Sequence, residues 1–406
     1  MKIKKADILI FIIFLIILIS CHFTWILNKA DNVLDSYYII ILSILAFIIT
    51  YLLSNGGILK YAGRFVNTFV VVVILLTFLE AVYTCYYTDK DFLYCFNQIV
   101  IYFSVILIYP LMYVLYSKCE NNLRHILVVC ELIMLGYCSY IAWIFNTTKN
   151  VVNENFIPLK EWVRNGSIRI GSIPLMWFAL LIEVTFLFIC KSKIKKSIHL
   201  LISAVVVWFI FTINQSRAYE MVVLIMFGAM YFFYTRQPKK KIIKSMLVFL
   251  LLLIIVATGV FDRLILSISE GQEEQNMYVR IRFLLGINSV ITKLPLGYLL
   301  GCGAGSTVDI HGFTYNFIDI GFLGDFFNFG IISIVIYGLI IVRLFNNIKY
   351  TKRINSNYFI FNIGAFAFIL SGMIGFSVLP ISRFIVVPFL IAYTEYSRKS
   401  ENFDLN

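Results

Sequence analysis

The chain has 406 residues, of which 61% are hydrophobic and 14% are charged, with a formal net charge of +12. Soluble domains carry roughly 25% charged residues, so this composition excludes a soluble globular protein. A helix needs about 20 mostly apolar residues to cross a bilayer, because unpaired backbone groups are costly in hydrocarbon. The composition therefore predicts an all-α polytopic membrane protein, with residues 1–406 forming a single integral membrane domain.

About twelve stretches are apolar over a length that can cross a bilayer. The predicted transmembrane helices are 7–27, 38–54, 65–86, 95–116, 125–145, 171–190, 199–213, 218–234, 242–261, 316–342, 358–376 and 379–393. The first resembles a signal peptide with a lipobox ending at Cys21. Because the apolar run continues to Leu27, and because the later spans keep their polarity only if this one is retained, we interpret it as a signal anchor.

Lysine and arginine are distributed unequally between the two sides of the predicted membrane. About two thirds of the 34 Lys and Arg lie in loops on the side of the amino terminus. Cytoplasmic loops carry such an excess, so both termini are predicted to be cytoplasmic, and the positive charge does not require a nucleic acid partner. The segment 146–170 then forms a smaller extracytoplasmic loop, and the segment 262–315 forms a large extracytoplasmic loop before the tenth span.

No metal-binding pattern is evident. The 8 cysteines show no CxxC spacing. Asp89 and Asp91 resemble a metal-binding pair, but they lie in a short loop where solvated carboxylates are the simpler interpretation. Neither a metal ion nor another cofactor is expected.

Arginine recurs on the predicted outer side, where orientation rules disfavour it. The arginines in question are Arg164, Arg169, Arg217, Arg280, Arg282 and Arg383. The planar fork of arginine binds two phosphate oxygens at once, so a converging set predicts a site for a lipid diphosphate. Alternatively, each arginine reaches toward lipid headgroups or pairs with an acid, for which the candidates are Glu220, Glu273 and Glu274.

The large loop ends in a glycine-rich stretch, GCGAGSTVDIHGF from Gly301. It lacks the GxGxxG spacing of nucleotide sites, so its glycines are predicted to let the backbone turn sharply beside a ligand. His311 is the only one of the 4 histidines in a predicted outer loop. It can accept the proton of an attacking hydroxyl, or it is a surface histidine that hydrogen-bonds locally. The length of the loop predicts short helices across the mouth of the bundle.

These residues resemble the O-antigen and capsular polysaccharide polymerases and the related O-antigen ligases, a superfamily of GT-C-type glycosyltransferases. The SRG-like motif of that family is matched by Ser216, Arg217 and Ala218. Its GxGxGS motif, in a late outer loop that also bears arginine, is matched by Gly301, Gly303, Gly305 and Ser306. The family continues with adjacent His and Asn, whereas here Asn316 follows Tyr315 and His311 lies upstream. The resemblance covers most of the second half of the chain.

The resemblance implies a GT-C-like fold and glycosyl transfer on the outer face of the cytoplasmic (inner) membrane of a bacterium. The donor would be a glycan on undecaprenyl diphosphate, and the acceptor a sugar hydroxyl on a second lipid-linked repeat unit. Because the leaving group is already a diphosphate, fixed cations can stabilise it without a metal ion. The implied catalytic residues are Arg217, Arg280, Arg282 and His311. The implied substrate-binding residues are Arg164, Arg169, Gly303, Gly305, Ser306, Tyr315, Asn316, Asp319 and Arg383.

Several alternatives stay open. Tyr315 occupies the place of the family histidine, so it or Asp319 is an alternative base to His311. A glycan ligase uses the same donor and differs in its acceptor. A lipid-oligosaccharide flippase is a third reading, although it would place charges within many spans. Besides the lipid-linked oligosaccharide and the bilayer, the expected partners are a chain-length regulator or a flippase.

Overall fold

A computed structural model describes residues 5–26, 32–88, 91–156, 163–164, 167–171, 173–234, 291–294, 296–303, 308–310, 313–315, 321–354, 356–375, 378–380 and 383–399. This part of the chain is helical apart from turns, connections and two short hairpins. The predicted helical class is therefore confirmed. The predicted span 242–261 lies outside the described residues.

The described residues from 5 to 148 form helices and a few turns. The helices are α1 Lys5–Ser20, α2 Phe23–Ile26, α3 Asn32–Leu53, α4 Ile58–Thr88, α5 Phe92–Asn97, a 3-10 helix Val100–Leu107 that continues into α6 Ile108–Tyr116, and α7 Glu120–Thr148. Long runs of Ile, Leu, Val and Phe satisfy their backbone groups internally by forming helices, which is the requirement that a bilayer imposes.

The chain after α7 adds two antiparallel pairs of strands, β1 Val163–Arg164 with β2 Ser167–Ile168 and β3 Val308–Ile310 with β4 Phe313–Tyr315. Its helices are α8 Met176–Ile189, α9 Lys193–Phe209, α10 Arg217–Tyr234, α11 Gly297–Leu300, α12 Phe322–Phe329, α13 Ile331–Arg353, α14 Phe359–Gly375 and α15 Val386–Lys399. A π-helical turn, Ile210–Asn214, follows α9. Within the described part of the predicted large loop, α11 is the short helix expected there, and the second hairpin was not expected.

Five helical segments are long and apolar enough to cross a membrane: Val33–Leu53, Ile58–Tyr86, Glu120–Thr148, Lys193–Asn214 and Ile331–Arg353. Shorter apolar helices are Ala6–Ser20, Val100–Tyr116, Met176–Ile189, Ala218–Tyr234 and Phe359–Met373. Each of these overlaps a span predicted from the sequence. The chain therefore has the helices of a membrane protein.

Two predicted boundaries differ from the structure. The predicted span 316–342 contains a break between α12 and α13, because Gly330 has a φ of 55° and cannot continue a helix. The long helix begins after that glycine and extends to Arg353. The last predicted span, 379–393, begins instead at Val386, after a non-helical connection.

The core of the bundle surrounds α8, in which every residue from Met176 to Thr185 is buried. A helix that is apolar all round is stable only inside a bundle or a membrane. On the outside, by contrast, large apolar side chains such as Ile41, Leu75 and Leu201 are at least 60% exposed. An apolar exterior of this kind suits contact with lipid.

The bundle has two chemically different ends. Arg124, near the start of α7, lies beside Glu183 in the middle of α8 and near His199 in the second turn of α9. We call this the basic end, because the exposed Lys193 and Lys196 lie there. We call the opposite end, where α8, α10 and α15 begin, the distal end. The loop charges predict that the distal end is extracytoplasmic.

Candidate functional site at the distal end

Residues 378–380 and 383–385, the described part of the connection between α14 and α15, pack into the distal end of the bundle. The hydroxyl of Tyr102, in the 3-10 helix, donates a hydrogen bond to the carbonyl oxygen of Leu379 at 2.7 Å. The backbone N–H of Val378 donates to the hydroxyl oxygen of Tyr337 at 3.1 Å. That hydroxyl in turn donates to Asp325 Oδ2 at 2.9 Å. Buried hydrogen bonds of this kind hold the connection against two separate helices, and Asp325 of α12 fixes the hydroxyl of Tyr337.

The same connection carries Arg383, which lies beside the first turn of α10. Its backbone N–H donates to the carbonyl oxygen of Pro380 at 2.8 Å. Its guanidinium carbon lies 5.7 Å from the centroid of the Tyr219 ring, and the Tyr219 ring packs edge-on against Trp177 with centroids 5.1 Å apart. A cation is attracted to an aromatic face. The positive charge of Arg383 is thus held next to the helix that begins at Arg217.

The turn that leads into α10 is tied to the segment after the first hairpin. The Asn214 side-chain amide donates to the carbonyl oxygen of Ile170 at 2.9 Å. The Ile170 N–H donates to the carbonyl oxygen of Ile213 at 3.3 Å. Gln215 then reverses the chain with a φ of 49°, in the left-handed region where a single residue can end a helix. Arg169, directly before Ile170, is consequently held beside the start of α10.

Three of the predicted arginines therefore belong to adjoining segments at one end of the bundle. Arg169 and Arg383 are half-buried, and Arg217 is described through its backbone, as the first residue of α10. Cations gathered in a partly enclosed region raise the local positive potential and favour an anionic ligand. Glu220, which the sequence offers as an alternative partner for these arginines, is buried in the same first turn.

A small cavity of about 20 Å³ adjoins the connection. Apolar side chains such as Phe329 and Leu379 line most of it, while Thr77, Glu80 and Tyr102 contribute polar groups. Glu80 is 2% exposed and lies within the long apolar helix α4. An ionisable group in such a helix is costly to bury and by default marks a functional hypothesis. Leu379 of the connection lines the cavity, and so does Tyr102, which donates a hydrogen bond to Leu379. Glu80 therefore belongs to the same end of the molecule as Arg383.

The first two glycines of the GCGAG stretch pack against protein backbone and side chains. Gly301 and Gly303 have φ values of 75° and 91°, which suit glycine. A Cβ atom on Gly301 would lie 2.4 Å from the backbone of Asn328, and one on Gly303 would lie 2.7 Å from Thr84 Oγ1. The predicted sharp turn is present, and its neighbours are α12 and α4.

Cys302, between these glycines, is a buried thiol at the same end. Burial, followed by the negative charge of Glu80, raises its pKa to about 11. A thiol with this pKa is protonated at neutral pH and is a poor nucleophile. The stretch is thus a packed structural turn at this point, with Cys302 as a small buried side chain.

The structure describes only some of the remaining predicted site residues. Arg164 and Tyr315 are described through their backbones, Arg164 in β1 and Tyr315 in β4 opposite Val308. The others lie outside the described residues: Arg280, Arg282, Gly305, Ser306, His311, Asn316 and Asp319. The assignments of His311, Tyr315 or Asp319 as the base therefore stay predictions.

The sequence analysis missed a set of buried acids within the helices. Glu80 in α4, Glu131 in α7 and Glu183 in α8 are each at most 2% exposed. Charges within spans are what a flippase was expected to have, and these three acids are such charges. Each of these acids is a lone carboxylate in an apolar run, a signal that could have identified them in the sequence.

Among the described residues, no group of three or more His, Cys, Asp or Glu side chains is arranged to hold a metal ion. Comparison of the chain with protein-family models, with curated protein sequences and with solved structures found no match.

Proposed function

We propose that this protein is a membrane glycosyltransferase that transfers a growing glycan from undecaprenyl diphosphate to a lipid-linked repeat unit, as polysaccharide polymerases do. The observation that carries the proposal is the meeting of Arg383, the first turn of α10 that begins with Arg217, and the segment of Arg169 at the distal end. Arginine binds phosphate oxygens bidentately and keeps its charge at physiological pH. Several arginines at one partly buried end suit the two phosphates of a lipid carrier.

The chemistry follows from the leaving group. The acceptor hydroxyl oxygen forms a bond to the anomeric carbon, the bond from that carbon to the diphosphate oxygen breaks, and the hydroxyl proton passes to a base. We assign the base role to His311, with Tyr315 and Asp319 as alternatives. The arginines Arg217, Arg280 and Arg282 then stabilise the charge that grows on the departing diphosphate, an effect that is strongest where water is excluded.

The proposal implies a topology for the chain in the membrane. About twelve spans in a GT-C-like bundle, with both termini in the cytoplasm of a bacterium, would place the distal end on the outer face of the cytoplasmic membrane. The large loop 262–315 would cover the donor site. A chain-length regulator or a flippase is the expected protein partner, because polymer units must be delivered and their number limited.

A flippase is the second candidate, and the buried acids are the observation that favours it. Glu80, Glu131 and Glu183 lie on three different helices that are apolar enough to cross or enter a membrane. Polar groups inside a bundle can line a substrate path. Their described contacts are in three different places, however: Glu80 lines the distal cavity, Glu131 accepts a hydrogen bond from Cys21, and Glu183 pairs with His199.

Glycan analysis of a deletion strain separates these functions. A surface polymer that collapses to single repeat units indicates a polymerase, and intact polymer retained on lipid indicates a ligase. Repeat units trapped inside the cell indicate a flippase and would contradict the proposal.

Substitution of Arg383 tests the site itself. We expect Arg383→Ala to lower the rate of extension of lipid-linked repeats by purified protein by about 10²- to 10³-fold, the usual effect of removing one group that stabilises the transition state. Arg383→Lys keeps the charge but loses the fork, so it should recover only part of the rate. The matched control is Arg398→Ala, because Arg398 also lies over a tyrosine ring but at the basic end. Its guanidinium carbon is 5.0 Å from the centroid of the Tyr350 ring. Wild-type rates from Arg383→Ala protein would remove this residue from the site.

A further inference from the structure

A second cavity lies at the basic end, between the beginnings of α7 and α9. Its volume is about 310 Å³. This volume is within the range of about 300–1,000 Å³ that is usual for small-molecule sites. The lining residues are Asn121, Arg124, His125, Lys195, Ile198 and His199. We call this cavity the basic-end pocket.

The lining of the basic-end pocket is cationic. Arg124 and Lys195 contribute positive charges, and His125 and His199 add two imidazoles. No Asp or Glu is among the lining residues. A carboxylate ligand set for a cation is therefore missing, and the hydrogen-bond donors present suit an anion.

Arg124 is buried and held in place from behind. Its side chain is 10% exposed, and its Nε lies 3.9 Å from Glu183 Oε1. The guanidinium lies over the Phe186 ring at 4.2 Å from its centroid, and Nη2 lies 3.3 Å from His125 Nε2. Nε is buried and faces Glu183, so the donors of Arg124 that can reach a ligand in the pocket are on the terminal guanidinium nitrogens.

His199 is positioned by the same two residues of α8. Its Nδ1 lies 2.6 Å from Glu183 Oε2, and its ring stacks on Phe186 with centroids 5.7 Å apart. The hydrogen bond at Nδ1 leaves Nε2 as the nitrogen available to a ligand. Because Glu183 contacts both Arg124 and His199, one buried carboxylate orients two donors toward a common space, as supporting residues do in a built site.

Fixed arginine and lysine donors around a cavity recognise phosphate, whose oxygens accept charge-assisted hydrogen bonds. The pocket also lies where lipid headgroups lie, because α7 and α9 are both long and apolar enough to cross a membrane and begin at this end. Basic pockets between membrane helices and clusters of basic residues attract anionic headgroups.

We propose that the basic-end pocket binds a phosphate group, carried either by an anionic phospholipid headgroup or by a soluble phosphate. This site is at the opposite end from the distal arginines, so it does not depend on the proposed glycosyl transfer.

The test uses the purified full chain and two probes. Native mass spectrometry measures retention of dioleoylphosphatidylglycerol against dioleoylphosphatidylcholine, and equilibrium dialysis measures binding of radiolabelled inorganic phosphate. We expect Lys195→Gln to weaken binding of the preferred probe about tenfold, the typical effect of one charged hydrogen bond. Arg124→Gln should weaken it at least as much.

Lys193→Gln is the matched control, because Lys193 is exposed on the same helix and does not line the pocket. Lys195 is also exposed, so Lys195→Gln leaves the buried contacts of Glu183 with Arg124 and His199 intact. This variant therefore tests the proposal even if Arg124→Gln fails to fold. Selective loss of phosphatidylglycerol assigns the phosphate to a lipid, and selective loss of inorganic phosphate assigns it to a soluble ligand. Equal effects of Lys193→Gln and Lys195→Gln, or no saturable binding of either probe, would overturn the proposal.

Discussion

Gly301 and Gly330 form a reciprocal backbone contact that leaves no space for a side chain. A Cβ atom on Gly301 would lie 2.4 Å from the backbone of Asn328, and one on Gly330 would lie 2.5 Å from the backbone of Leu299. Their φ values of 75° and 55° are also unfavourable for other residues. Two glycines that stand far apart in the sequence thus allow α11 to pack against the break between α12 and α13.

We expect Gly301→Ala to lower the free energy of unfolding by about 2–4 kcal/mol, because it adds both backbone strain and an overpacked contact. SDS titration of the purified protein in mixed micelles measures this change. Gly338→Ala is the control, since a Cβ atom there meets no atom within 4 Å, and alanine is the better helix former. Equal stability of the two variants would show that the contact around Gly301 does not form.

At the scale of elements, the α14–α15 connection is the piece that brings the distal groups together. It accepts the hydrogen bond from Tyr102, donates one to Tyr337 and carries Arg383 to the ring of Tyr219. A connection at the end of a bundle is usually exposed and mobile, whereas this one contains the buried Val378 and Leu379. Its fixed position is what gives Arg383 a defined place beside α10.

Tyr337→Phe tests this arrangement, because it removes the hydrogen bonds to Asp325 and Val378 while keeping the ring. We expect a loss of about 1–3 kcal/mol in the free energy of unfolding. If the connection positions Arg383 for catalysis, the rate of glycan extension should fall as well. Tyr140→Phe is the control, because the Tyr140 side chain is 51% exposed on the outside of the bundle. An unchanged Tyr337→Phe protein would mean that the connection is held by its apolar contacts alone.

At the scale of the whole molecule, the candidate functional site and the proposed phosphate site lie at opposite ends of the bundle. The distal end holds Arg383, Glu80 and the packed glycine turn, and the basic end holds the Arg124, Glu183 and His199 cluster. The apolar helices between them present large exposed side chains toward lipid. If the chain crosses the membrane as the loop charges predict, the two cavities face opposite compartments.

Cysteine labelling measures this orientation. In a background with Cys85, Cys119 and Cys190 replaced by Ser, we expect Asn150→Cys to react with an impermeant maleimide in intact cells. Lys196→Cys should react only after permeabilisation, because it lies in the basic cluster that the charge bias places in the cytoplasm. Both positions are exposed. The reverse pattern would show that the topology is inverted and that the distal end is on the cytoplasmic side.

Much of the helical framework can be predicted from hydropathy, because each helix satisfies its own backbone and each apolar run is a local signal. The break at Gly330 and the start of α15 at Val386 could not be located in this way. Both depend on what packs alongside: Leu299 against Gly330, and Tyr102 against Leu379. The arginines were found in the sequence because charge is conspicuous in an apolar chain, whereas Tyr102 and Tyr337 carry no such signal.

The sequence by itself determined that this chain is a helical membrane protein with its basic loops biased to one side, since composition and charge distribution are properties of the chain that no folding step changes. It also identified Arg169, Arg217 and Arg383 as unusual. Only the tertiary structure decided that these arginines belong to adjoining segments, and that Glu183 joins Arg124 to His199. The physical reason is that contacts between residues far apart in the chain depend on how the helices pack, and packing is set by side chains on several helices at once.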